Sequence, residues 1–332
     1  MAMDLSTSYM GLKLPHPFVP GASPLMHDLD TVRRLEDAGA AAVVLHSLFE
    51  EQITREQIAT FLHSQAHGES FAEALSYFPP PDQFPLGPEE YLEHVGRVKQ
   101  TVDVPVIASL NGTTKGGWVE YAKVMEQAGA DGLELNLYML ALDPTVSSQE
   151  VEDGEIELVR EVKKSLRIPV AVKVSPFYTS FAHMATRLVD AGADALVVFN
   201  RFYQPDIDPE GLQVARTLHL SDSSELPLRL RWLAFLSGRV KASLAVTGGV
   251  HTSVDAVKAT MAGAHAIQMV SVLLRKGPEY LRTLRAGFED WLVEHEYESL
   301  AQMQGSMGLL SCPDPHAYER ANYMLMLQSW RE

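Results

Sequence analysis

Four times along the chain a helix-like ending runs through a glycine into an unbroken apolar stretch: DAGAAAVVL at 37–45, QAGADGLEL at 127–135, DAGADALVV at 190–198 and MAGAHAIQM at 261–269. Gly39, Gly129, Gly192 and Gly263 stand where a helix C-terminus needs a left-handed residue, and the apolar runs behind them lack the alternation of a strand with one wet face. That is the pattern of parallel strands buried on both faces. Further runs, HPFVPGAS at 16–23, VPVIASLN at 104–111, IPVAVKVSP at 168–176 and SLAVTGG at 243–249, bring the strands to eight. Apolar positions at helical spacing fill the gaps at 28–38, 116–128, 155–166, 180–191 and 228–240, and again in SVDAVKATMA and PEYLRTLRAGFEDWLVEH. Eight strands alternating with helices predict a (β/α)8 TIM barrel in a single domain, its core at about 16–296, followed by a helical C-terminal extension at 297–332. Two long loops interrupt it, at roughly 50–90 and 201–227. An open doubly wound sheet is the alternative, but eight near-equal units need no topological switch point.

Composition narrows the function classes. With 332 residues, 46% hydrophobic and 21% charged, the chain has material for one large core. A net charge of -16 without a long basic run counts against nucleic acid as a partner. The single cysteine, Cys312, excludes an intrachain disulfide and a cysteine-ligated cluster and reads as structural. No secretory leader and no apolar run of about 18 residues is visible, so the expectation is a cytoplasmic enzyme of a small-molecule substrate with no membrane partner. An acidic barrel with an extension suits a homodimer.

In such a barrel the reacting groups sit at the C-terminal strand ends. Here those are Ala22, Ser23, His46, Ser47, Asn111, Asn136, Lys173, Ser175, Asn200, Gly248, Gly249, Val270 and Ser271. TGGV at 247–250 follows a strand and precedes a helix, which suits a phosphate held by backbone N–H groups and a helix N-terminus; a tight turn is the plainer explanation. Lys173, inside an apolar strand, needs an anionic partner: a cofactor anion, a structural carboxylate, or a role as Schiff-base nucleophile. His46 titrates in the range of a general base, and Arg201 suits an anionic group. Tyr77, Phe78, Phe84, Phe202 and Tyr203 would form an aromatic lid or simply pack the long loops. His63 and His67 could share a helix face, but two ligands do not make a zinc site.

These motifs, with LELN, VVFN and the block VTGGVHTSVDAVKATMAGAHAIQMVSVLLRKGP, carry a resemblance to the dihydroorotate dehydrogenases, flavin-dependent barrel enzymes, that runs from MGLKLPHPFVPGAS to the tail EHEYESLAQMQG. The resemblance implies bound FMN, its phosphate on Gly248, Gly249, Val270 and Ser271 and its ring near Ala22, Ser23, Ser47, Asn111 and Asn200. Lys173 would face the flavin edge where negative charge collects on reduction. Asn136, Asn200 and Arg201 would hold a small anionic substrate, with Lys173, Asn136 and His46 the catalytic candidates. The chain also departs from the pattern. The family's Cys or Ser base falls on Met139, its following asparagine on Ala141, its lysine after the second strand on His46, and its asparagine–serine pair on Asn200–Arg201. Methionine accepts no proton, and Tyr138 beside it has a phenol that titrates too high for the task. The expectation is a flavin half that is kept and a dihydroorotate half that is rebuilt. Two rivals stand beside it: an aldolase using Lys173 on a phosphorylated sugar, and a flavin-binding relative without turnover.

Overall fold

The computed structural model describes residues 3–49, 88–112, 115–201, 204–215, 217–318, 320 and 322–329. The chain opens with an antiparallel hairpin, β1 (Thr7–Tyr9) and β2 (Leu12–Leu14). Barrel strands follow as β3 (Phe18–Pro20), β4 (Val43–Phe49), β5 (Val106–Gly112), β6 (Gly132–Leu137), β7 (Val170–Val174) and β8 (Ala195–Val198). A second hairpin, β9 (Asp206–Asp208) and β10 (Gln213–Ala215), precedes the last two barrel strands, β11 (Ser243–Thr247) and β12 (Ala266–Met269). All eight barrel strands are parallel, in the order β3-β12-β11-β8-β7-β6-β5-β4. Between the two end strands the Ala41 N–H donates to the Phe18 carbonyl at 3.0 Å, which draws the sheet into a nearly closed barrel.

The two-residue period of each strand sorts its side chains into two cores. Leu133, Leu135 and Leu137 of β6 and Val170, Val172 and Val174 of β7 face the surrounding helices. The opposite set is small: Ala171, Ala195, Ala245 and Ala266 form a separate cluster with Tyr9, Met10 and Leu14 of the first hairpin. The alanines are small because the hairpin fills the space they leave, plugging the N-terminal end of the barrel. At Gly132 the fit is so close that a Cβ would lie 2.9 Å from Met10 Cε. Thr7 Oγ1 donating to the His265 carbonyl at 3.0 Å and Met10 N donating to Ser243 Oγ at 3.2 Å fasten the plug to the barrel wall.

Most helices stand in the gaps where periodicity placed them, but Pro88–Thr101 was not anticipated, the helix expected to reach 240 ends at Leu236, and one start is displaced. Helix α1 covers Leu29–Asp37, α2 Pro88–Thr101, α3 Lys115–Gln127, α4 Ser148–Ser165, α5 Phe181–Asp190, α6 Leu226–Leu236 and α7 Ser253–Ala262. Expected from residue 155, α4 begins seven residues earlier, where Ser147 and Glu150 form a reciprocal capping box ahead of the polar first turns. The extension returns along the barrel: Gly305 N, Met307 N and Leu309 N donate to the carbonyls of Thr260, Met261 and Ala234. Cys312 is buried there, in keeping with a structural role. Most of the first long loop, with Tyr77, Phe78, Phe84, His63 and His67, lies outside the described residues, as do Phe202 and Tyr203.

Tyr9 is fully buried in the plug, so Tyr9→Ala should cost about 3–5 kcal/mol of stability by emptying a core site. Urea unfolding followed by tryptophan fluorescence measures it. A loss below about 1 kcal/mol would show that the hairpin does not support the barrel.

Candidate active site

At the C-terminal ends of the strands the inward positions become polar and open into a cavity of about 880 Å³. Asn111 of β5, Asn136 of β6, and Asn200 and Arg201 just after β8 all line it, so these four expected residues converge. Asn200 Nδ2 donates to Asn136 Oδ1 at 2.6 Å, which fixes both amides across the gap spanned by β7. Tyr138 also lines this cavity, because the chain leaves the strand after Leu137 and alternation no longer governs it. The cavity also holds Arg229 and Glu225, which sequence reasoning missed. Arg229 is buried and donates from Nε to the Thr247 carbonyl and from Nη1 to the Glu225 carbonyl, both at 2.6 Å. The Glu225 carboxylate lies between the two guanidinium groups, 3.3 Å from Arg201 and 3.5 Å from Arg229. Two cations against one anion leave this wall positive within an acidic protein.

Lys173 lies opposite Asn136 in the β6–β7 register, one step below the cavity mouth. Its Nζ is 3.2 Å from Glu134 Oε1, and Gln268 Nε2 donates to Glu134 Oε2 at 2.5 Å. Glu134 was read only as part of an apolar run. The partner that the lysine requires is this carboxylate, fully buried on the neighbouring strand.

The glycine pair after β11 has a left-handed backbone, with φ of 81° at Gly248 and 83° at Gly249. A Cβ at Gly248 would lie 2.7 Å from Arg229 Nη2, and one at Gly249 would lie 2.6 Å from Leu226 N. The glycines therefore serve close packing against the start of α6. Ser221, another residue missed, ties the cradle together: its Oγ accepts from Gly249 N at 3.4 Å and its N–H donates to Ser271 Oγ at 3.1 Å. The expected helix dipole is a different matter. Helix α7 caps its own N-terminus, because Asp255 accepts from His251 N and Thr252 N at 3.1 and 2.9 Å.

His46 does not stand as a free base. Its ring stacks on His27 at 3.8 Å and lies 5.6 Å from His94, whose Nε2 donates to the Met26 carbonyl at 2.6 Å. Burial, and then the neighbouring imidazoles, push its pKa down to about 3, which makes it a poor proton acceptor at neutral pH. Ser47 hydrogen-bonds Ser109 at 2.7 Å and Ser23 is buried on the loop after β3. Met139 and Ala141 line a second cavity of about 530 Å³, which shares Phe177 and Gln204 with the first. Its floor carries Glu155, to which Tyr178 OH donates at 2.7 Å. Burial raises the Glu155 pKa to about 7, the Tyr178 hydrogen bond opposing and the Glu152 charge adding. Helical periodicity in EIELVREVKK, where Glu155 opens the segment, hid it as an ordinary first-turn acid.

A nearly closed parallel barrel with amides and a glycine pair at the C-terminal ends of its strands defines a TIM-barrel protein. Residues 85–292 match the dihydroorotate dehydrogenase family model, and the chain belongs to that family. It is 26% identical over 310 residues to the catalytic subunit of dihydroorotate dehydrogenase B (NAD(+)) of Thermoplasma volcanium, covering 91% of this chain and 98% of that protein. The corresponding subunit of Citrifermentans bemidjiense is 30% identical over 238 residues, 68% of this chain and 75% of its own length. NAD-dependent dihydropyrimidine dehydrogenase subunit PreA of Escherichia coli is 24% identical over 323 residues, 92% of this chain and 77% of that protein. Flavin fits the residues present. Ser23 Oγ and Gln268 Oε1 are buried without a hydrogen-bond partner, polar atoms of the kind a flavin ring could satisfy. Among the described residues no cluster of three metal-ligating side chains occurs, and no helix is long and apolar enough to cross a membrane.

The raised Glu155 pKa has a stability consequence of definite sign. A carboxyl that holds its proton more tightly when folded favours the folded state below its unfolded pKa near 4.5, and that advantage is lost as pH rises through about 7. Glu155→Gln should be near neutral at pH 4.5 and stabilising, on the order of 2–3 kcal/mol, at pH 8. Urea unfolding of both proteins at the two pH values measures this, and a difference independent of pH would refute it.

Proposed function

We propose that this protein is an FMN-dependent oxidoreductase acting on a small anionic substrate, with a substrate site rebuilt away from dihydroorotate. The observation that carries the reading is the convergence of Asn111, Asn136 and Asn200 on one barrel mouth, with Lys173 just below it and a left-handed glycine pair at the end of a neighbouring strand. FMN, when bound, supplies the hydride chemistry. The chain's own groups would orient it: Ser23, Ser47, Asn111 and Asn200 around the ring, and Gly248, Gly249, Val270, Ser221 and Ser271 around the phosphate. The wall supports an anionic substrate through Arg201, with the buried Arg229 adding positive potential behind it while its own nitrogens are held by Thr247 and Glu225. The aldolase reading loses support because the Lys173 amine is engaged by Glu134, whereas a Schiff-base nucleophile needs a free amine.

Purified protein, denatured and its supernatant analysed by mass, should release FMN and not FAD. A colourless protein that takes up no added FMN would sink the proposal. General-base catalysis is worth a factor on the order of 10² to 10⁴, so with Met139 in the base position dihydroorotate should bleach the flavin slowly or not at all under anaerobic conditions. Rapid bleaching would refute the rebuilt site. Reduction by dithionite alone would support it, and Met139→Cys should not restore turnover while Ala141 stands where the family carries a binding amide.

A further inference from the structure

Glu134, Lys173 and Gln268 meet inside the barrel, where the surrounding inward positions include Val44, Ile107 and Val197. Glu134 and Lys173 sit on adjacent strands, but Gln268 belongs to β12, four places from β6 in the sheet order and so on the opposite wall. The 2.5 Å hydrogen bond from Gln268 to Glu134 therefore crosses the lumen, and the carboxylate is held from both sides. Below the trio, burial and then the Glu134 charge hold the Tyr9 phenol well above its usual pKa, so it stays neutral. Among the described residues Glu134 and Lys173 are the two buried charged side chains on the barrel strands, and together they sum to zero.

We infer that Glu134, braced by Gln268, is the positioning residue that holds Lys173 at the flavin edge and offsets its charge, thereby lowering the reduction potential of the bound cofactor. The inference rests on the FMN reading proposed above. Its physical basis is the low dielectric around the trio. A lone ammonium at the edge where the reduced flavin gathers negative charge would favour reduction strongly; a carboxylate 3.2 Å from that ammonium cancels much of the field. Gln268 adds rigidity, because a carboxylate with one oxygen on the lysine and the other on an amide cannot swing toward solvent. The lysine thus presents hydrogen-bond donors to the cofactor edge with little net charge behind them.

The test compares full-length wild type with Glu134→Gln, Gln268→Leu and Lys173→Met, each loaded with FMN. Equilibration with a reference dye at pH 7 reads the potential of the bound flavin. Glu134→Gln should bind reduced FMN about tenfold more tightly relative to oxidised FMN, a rise of ~30 mV for the two-electron couple. Lys173→Met should shift the potential the other way. Gln268→Leu should move it in the direction of Glu134→Gln, by less, and it reports in its place if that variant does not fold. A pair that is merely structural would lower stability and leave the potential unmoved, which would overturn the inference. A second readout needs no flavin. In protein stripped of FMN, acetic anhydride should acylate Lys173 about tenfold faster at pH 8 in Glu134→Gln than in wild type, because the carboxylate that engages the amine at 3.2 Å is gone. Equal rates would overturn the claim that Glu134 governs Lys173. If the protein neither holds nor takes up FMN, the cofactor reading fails, and the acylation rates still decide whether Glu134 controls the lysine.

Discussion

In a closed parallel barrel the strand's two-residue period leaves each side chain only two destinations, the helix layer or the lumen. The rest of this molecule follows from that constraint. Leucines and valines go outward to the helices, and the lumen must then be filled from within at crystalline density. At the N-terminal end alanines and an inserted hairpin fill it. In the middle an ion pair braced by an amide takes the place of aliphatic packing. At the C-terminal end no filling remains, and the same inward register that buried Glu134 presents Asn136 two residues later to an open cavity. The active-site candidates are the continuation of the core layers past the point where packing stops.

Much of this architecture was legible along the chain because it is local. A glycine after a helix and an apolar run after the glycine mark a helix end and a buried strand without help from distant residues. Convergence of Asn111, Asn136 and Asn200 was legible too, since the end of a barrel strand is defined by its position in the unit. What escaped depends on partners far apart in sequence. Nothing near Lys173 announces Glu134, and Gln268 lies 134 residues from the carboxylate it braces. Arg229 looked like one arginine on a helix, yet its partners Thr247 and Gly248 come from the following strand and turn. His46 looked suited to proton transfer because an isolated imidazole is; its stacking on His27 and approach to His94 reverse that. The inner alanines misled in a milder way, since being apolar they masked the inside–outside alternation that the strands do possess.

The charge distribution separates two neighbouring volumes that share, among the described residues, Phe177 and Gln204. One presents paired guanidinium groups and amides; the other is walled by Met139, Leu142 and Val151 and carries Glu152 and Glu155. Many of the residues that form these walls sit on loops and helix faces outside the strand register, where they can change without cost to the barrel. Met139 and Ala141 fall in such a segment, so their departure from the family pattern costs the fold little.

The hairpin that closes the base of the barrel also sets the order in which the molecule can be assembled. It leaves the ribosome before any barrel strand exists, and the residues that fasten it, Ser243 and His265, follow 233 and 258 positions later. Until then Tyr9, Met10 and Leu14 have no alanine-lined lumen to enter. Such long loop closures slow folding and leave apolar surface exposed in the interval, so completion of the barrel waits on its last two strands meeting its first segment. The seal at the bottom of the barrel is thus synthesised ahead of every barrel strand and is among the last parts to find its place.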